Sequence, residues 1–138
     1  MSEVEQTLRI NARPETVWKF WTDPKRLCEW WGVSAAADAA PGGAFRVEMA
    51  SGLAMLGQYV ELVPHERLVF TFGYEPGEHA PPIAPGASTV EVTLVEDAGD
   101  TVLTLRHTGI PNELASSHND GWTRHLPLLA AAVVSCTA

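Results

Sequence analysis

Three histidines are the side chains of this sequence best suited to handle a proton or a metal: His107, His118 and His125. His118 and His125 lie seven residues apart, so a helix over this stretch puts both on one face. His107 belongs to an alternating run, on the same side as Leu103 and Leu105, which reads as a strand with His107 pointing inward. Neutral imidazoles that converge can bind a metal, but such a site also needs carboxylates or carbonyls behind the ligands, and none is clearly placed there; no metal is expected. The favoured role for His107 is a partly buried histidine hydrogen-bonded to backbone or water, with a polar contact to a ligand second. Glu61 is the other candidate base. The chain has no Gly-rich phosphate loop, no nucleophile elbow and no His-Glu zinc motif, which lowers the expectation of catalysis, and no cofactor is expected.

The element that must position these histidines is a long amphipathic helix over Glu113 to Val134. Leu114, His118, Trp122, His125, Leu126, Leu129 and Val133 recur at steps of three and four, which makes one face that needs a large partner. Asn112 and Glu113 after Pro111 suit its start. Pro127 removes one hydrogen bond in mid-helix, and a bend rather than a stop is expected there because Leu128 to Val134 remain helix-compatible.

The partner of that face is read from alternation. Glu3 to Ile10 forms a first strand with Val4, Gln6, Leu8 and Ile10 on one side. Pro14 and Pro24 each fit the first position of a short helix, the second ending by the Trp30-Trp31-Gly32 corner. Those two indoles either plug the end of a core or line a pocket mouth, the plug being favoured. Ser34 to Gly43 reads as a loop that does not pack. Strands follow with Phe45, Val47 and Met49; with Met55 to Val63, in which either Tyr59 and Glu61 or Val60 and Leu62 face inward depending on one bulge; and with Leu68, Phe70, Phe72 and Tyr74. Glu75 to Ala87 is a long Pro-rich loop, a lid or a connector. Beyond it, a tight turn at Asp97 to Asp100 registers two strands so that Leu94 pairs with Leu103, Val92 with Leu105 and Val90 with His107, while Thr93 pairs with Thr104 and Glu91 with Arg106 on the other face.

The 138 residues suit one domain, 1–138, with a core that needs no disulfide. Cys28 and Cys136 have no paired spacing and are expected as reduced thiols. A net charge of −8, with nine basic residues scattered, argues against nucleic acid and anionic membrane as partners. The amino terminus lacks the pattern of a signal peptide and no apolar run is long enough to span a bilayer, so a cytoplasmic location is expected.

Consecutive strands and one long helix give an α+β domain. Ala12-x-Pro14-x-x-Val17-Trp18, Thr22-Asp23-Pro24 with Trp30-Trp31, Gly57 before Glu61-x-x-Pro64, Thr101-x-Leu103-Thr104-Leu105-x-His107-x-Gly109, and Gly121-Trp122 stand in order along nearly the whole chain. The set resembles the Hsp90-ATPase-activator-like (Aha1 C-terminal-like) branch of the START/Bet v 1 (SRPBCC) superfamily. The resemblance implies a helix-grip fold, a curved antiparallel sheet wrapped around the long C-terminal helix, often with a cavity between them.

The inward positions converge on one volume, and a cavity walled by Phe45, Val47, Phe70, Phe72, Val92, Leu105, Trp122 and Leu126 is expected, with His107 and His125 as its polar points. The leading expectation is thus a small protein binding an apolar or aromatic molecule, a homodimer remaining open. A co-chaperone-like interaction module and a cofactor-free cyclase or hydrolase using His107 or Glu61 are the alternatives.

Overall fold

The computed structural model describes residues 1–137. Seven strands form one antiparallel sheet: β1 (Ser2–Ile10), β2 (Ser34–Ala37), β3 (Ala44–Glu48), β4 (Ala54–Val63), β5 (Arg67–Phe72), β6 (Ser88–Asp97) and β7 (Asp100–Ile110), in the order β1-β7-β6-β5-β4-β3-β2. The short helices α1 (Pro14–Thr22) and α2 (Pro24–Leu27) separate β1 from β2, and α3 (Ala115–Thr137) follows a single 3₁₀ turn at Asn112–Leu114. The face of α3 that meets the core carries His118, Trp122, Leu126, Leu129 and Val133, all buried, as the helical spacing requires. Gln6 on β1 fixes the helix on the sheet by donating its amide hydrogens to the Asn119 carbonyl at 3.0 Å and to the Thr123 hydroxyl at 2.8 Å. The helix runs on past Pro127, which lies exposed on its outer side, so the lost bond faces water.

The β6 to β7 hairpin has the register that its side chains favour: Val90 opposite His107, Val92 opposite Leu105, Leu94 opposite Leu103, with Thr93 opposite Thr104. Ala98 (φ 51) and Gly99 (φ 85) take the left-handed conformations of a two-residue hairpin turn whose twist matches that of the strands. Glu91 and Arg106 are opposite each other, but their ion pairs lie elsewhere: Arg106 reaches Glu3 at 3.0 Å on β1, and Glu91 pairs with Arg67 on β5. β6 and β7 each have two neighbours, and a long guanidinium can choose either side.

Two further details of the sheet differ from the alternating pattern. A bulge between Tyr59 and Glu61 turns β4 over, so that Tyr59 is buried on one side of it and Leu62 is half-buried on the other. Ser34 to Ala37, expected as loop, is the edge strand β2, paired from Ser34 opposite Glu48 to Ala37 opposite Phe45. Alanine gives little sign of strand, but β3 offers a free row of donors and acceptors, and pairing satisfies them.

The corner between α1 and β2 closes one end of the core. At the end of α1 the carbonyls of Phe20 and Trp21 have no partner within the helix; the Trp30 indole donates to the first at 2.9 Å and the Tyr59 hydroxyl to the second at 2.8 Å. Burial drives the Tyr59 phenol pKa well above its ordinary value. Trp30 and Trp31 are 4% and 7% exposed, the first packed on Trp21 with ring centroids 4.8 Å apart.

Candidate functional site

His107 is fully buried on β7, under α3, held by side chains rather than by backbone or water as its sequence context suggests. The Trp122 indole can only donate, and it meets Nδ1 at 3.1 Å, so Nδ1 carries no proton. The Ser88 hydroxyl gives its hydrogen to the Phe72 carbonyl at 2.6 Å, so its oxygen accepts from Nε2–H at 2.9 Å. Every donor in this chain has an acceptor only while the imidazole is neutral. Burial, aided by the nearby His118, accordingly pushes its pKa down to about 3.

A partly enclosed cleft lies beside this centre, at the end of the sheet where α3 begins, with a volume of about 420 Å³. Four segments wall it. Phe72 ends β5 and Tyr74 follows it, while Met49 to Leu53 come from the β3 to β4 turn, which is closed by a bond from the Met49 amide to the Leu53 carbonyl at 2.8 Å. Trp31 forms the floor, ring-parallel to Phe72 at 6.4 Å and tilted on Trp122 at 5.4 Å. The first half of α3 supplies Ser117, His118, Gly121, Trp122, Arg124 and His125. The long loop 75–87 is a wall element: Ile83 is buried, its carbonyl accepts from the Tyr74 amide at 2.9 Å, and this anchoring brings Pro81 to the cleft.

The cleft has one hydrogen-bonded pair able to pass a proton. His118 gives Nδ1–H to the Leu114 carbonyl at 2.9 Å, which leaves Nε2 to face the Tyr74 hydroxyl, also at 2.9 Å. In the neutral ring Nε2 accepts from that hydroxyl, whose pKa burial has pushed up to about 12. His125 likewise gives Nδ1–H to the Gly121 carbonyl at 2.9 Å. Among the described residues no three histidines, cysteines or carboxylates gather closely enough to hold a metal ion.

Of the expected wall, Phe72, Trp122 and His125 border this cleft. Phe45, Val47, Phe70, Val92, Leu105, Leu126 and His107 do not; they are packed inside with 0 to 2% exposure. The inward alternation is right, but the volume under the middle of the helix is filled by Trp21 and Trp31, which touch Phe45, Phe70 and Trp122 ring to ring. Open space remains at the end, where the small residues Gly121, Ala50 and Ser51 stand. Tyr74, His118, Gly121 and Arg124 were missed as wall. The signal for Gly121 and Arg124 was the helical repeat shifted by one position, 117, 121 and 124, beside the apolar stripe. Glu61 lies exposed on β4, paired with Arg67, away from the cleft.

Residues 11–134 match the protein family described as "Activator of Hsp90 ATPase homolog 1-like protein". No curated protein matches the sequence. Among solved structures, protein MLL2253 from Mesorhizobium loti is similar over 97% of this chain and 98% of its own, at 20% identity and a TM-score of 0.84. The Aha1 dimer from Colwellia psychrerythraea is similar over 96% of each chain, at 16% identity and a TM-score of 0.81. DynU16, a putative protein in the dynemicin biosynthetic locus, is 24% identical with a TM-score of 0.79; the match covers 95% of this chain but only 46% of DynU16. These likenesses show the fold, a curved antiparallel sheet gripping a long C-terminal helix, and with the family match over most of its length the chain belongs to the Activator of Hsp90 ATPase homolog 1-like family.

Proposed function

We propose that this chain, 1–138 acting as one domain, is a small cytoplasmic protein that binds an apolar or aromatic molecule in the cleft between Trp31, Phe72, Trp122 and the Met49 to Leu53 turn. The observation that carries the reading is Gly121. It sits inside α3, where glycine costs about 0.5–1 kcal/mol relative to alanine, and a Cβ there would meet no atom within 4 Å. Packing therefore gives no reason for glycine at this place, whereas a ligand against the helix does. A guest burying about 300 Å² of apolar surface would gain about 7 kcal/mol before the costs of association, which limits affinity to the micromolar range without good polar contacts. Among the described residues no helix is long and apolar enough to cross a membrane.

Trp31 and Trp122 make the test direct. Titration with aromatic compounds and fatty acids is expected to change tryptophan emission, and Trp31→Phe together with Trp122→Phe to remove most of the response. A set of such compounds that leaves both the emission and the amide NMR spectrum unchanged would sink the reading.

A second reading, cofactor-free acid–base catalysis on the bound molecule, is favoured by the Tyr74 and His118 pair rather than by His107 or Glu61. Turnover that survives His118→Gln would remove it. For a homodimer, the support is the likeness to the Colwellia dimer together with a shallow groove beside Trp30, Ala131 and Ala132, where Val33 and Leu128 are exposed by 63% and 51%. Sedimentation of the protein and of Leu128→Arg distinguishes a dimer through this face from a monomer.

A further inference from the structure

We propose that the cleft selects an aromatic molecule carrying a carboxylate or similar anionic group, read by Arg124; this rests on the binding reading above. The motive is the distribution of charge. Six of the seven arginines are engaged: Arg9 with Asp97, Arg13 with Glu15, Arg26 with Glu29, Arg46 with Glu75, Arg67 with Glu61 and Arg106 with Glu3. In a chain with 17 acidic residues a guanidinium meets a carboxylate readily. Arg124 is the exception among the described residues, with no carboxylate within ion-pair distance, although Asp120 stands one turn earlier on the same helix.

The unpaired arginine borders the cleft, and among the described residues no acidic side chain does. A fork of donors therefore stands at the rim of an aromatic cleft, with the Ser51 hydroxyl of the β3 to β4 turn as a second donor. A flat apolar body laid against Trp31 and Trp122 with an anionic end toward Arg124 uses both halves of the surface. A neutral guest uses only one. Strong negative charge elsewhere on the chain slows the approach of such an anion, so its recognition must come from this local contact.

The test compares 2-naphthylacetate with uncharged 2-naphthylacetamide by calorimetry on the full chain at low salt. We expect the acid to bind at least ten-fold more tightly than the amide, Arg124→Gln to bring the acid down to the amide's affinity while leaving the amide unchanged, and Arg124→Lys to restore part of the difference. Equal affinities of acid and amide for the unaltered protein overturn the proposal while leaving a neutral binding site standing. Equal losses of both ligands in Arg124→Gln overturn it also, because the residue would then act through the shape of the cleft. Binding of neither compound overturns both this proposal and the reading on which it rests.

Discussion

The indole N–H of Trp122 donates to Nδ1 of His107 across 3.1 Å inside the core, so that the long helix and the strand beneath it share one hydrogen bond whose acceptor exists only in the neutral ring. The bond joins position in the fold to protonation state. It also places the back of the Trp122 ring against the interior while another edge borders the cleft.

The first consequence is a pH dependence of stability. With its pKa pushed down to about 3 in the folded protein, against about 6.5 when unfolded, His107 binds a proton in the unfolded chain first. Its effect is absent above pH 6.5; as pH falls from there to about 3, stability is lost by an amount on the order of several kcal/mol, and no further below that. Urea unfolding between pH 4 and 7 is expected to show the slope. His107→Asn should flatten it, and a slope equal in both proteins would assign the effect to other groups.

Replacing His107 by leucine should lower stability at neutral pH by about 1–3 kcal/mol, the cost of leaving the Trp122 N–H and the Ser88 hydroxyl oxygen without their partner. The urea midpoint measures it. An unchanged midpoint would mean that water enters and replaces the imidazole.

Gly121 separates stability from binding. Gly121→Ala should raise stability by about 0.5–1 kcal/mol, because the helix gains and no neighbour is displaced. Gly121→Leu, by contrast, should fill the cleft and abolish binding of aromatic ligands while the protein stays folded. A leucine variant that binds normally would place the ligand elsewhere.

Pro127 lies exposed in mid-helix. Restoring the missing N–H with Pro127→Ala should raise the thermal midpoint, by up to about 3 kcal/mol of stability if the helix straightens without repacking Leu126 and Leu129. A fall in the midpoint would show that those two buried side chains depend on the proline.

On the outer face of the sheet, double-mutant cycles should find the coupling of Glu3 with Arg106 larger than that of Glu91 with Arg106, even though the latter pair is opposite in register. Both should weaken as salt is added. A larger coupling across β6 and β7 would contradict the observed choice of partner.

The sequence by itself determined the parts of this protein that follow from periodicity. The stripe from Leu114 to Val133 could only be a helix with a buried face, and the turn at Ala98-Gly99 with its flanking pairs admitted one register, because a slip of one residue would send Leu103 and Leu105 to solvent. His107 had to point inward for the same reason. What tertiary structure decided were choices between equally good neighbours and questions of residual volume. The bulge at Tyr59 to Glu61 chose the buried face of β4, β3 recruited the alanines of β2 as an edge, and Arg106 turned to β1. The space that alternation assigned to a ligand under the middle of α3 went instead to Trp21 and Trp31, leaving a cleft where Gly121 and the β3 to β4 turn fail to fill it. Periodicity states which way a side chain points; only the summed volumes of side chains from distant parts of the chain decide whether anything is left between them.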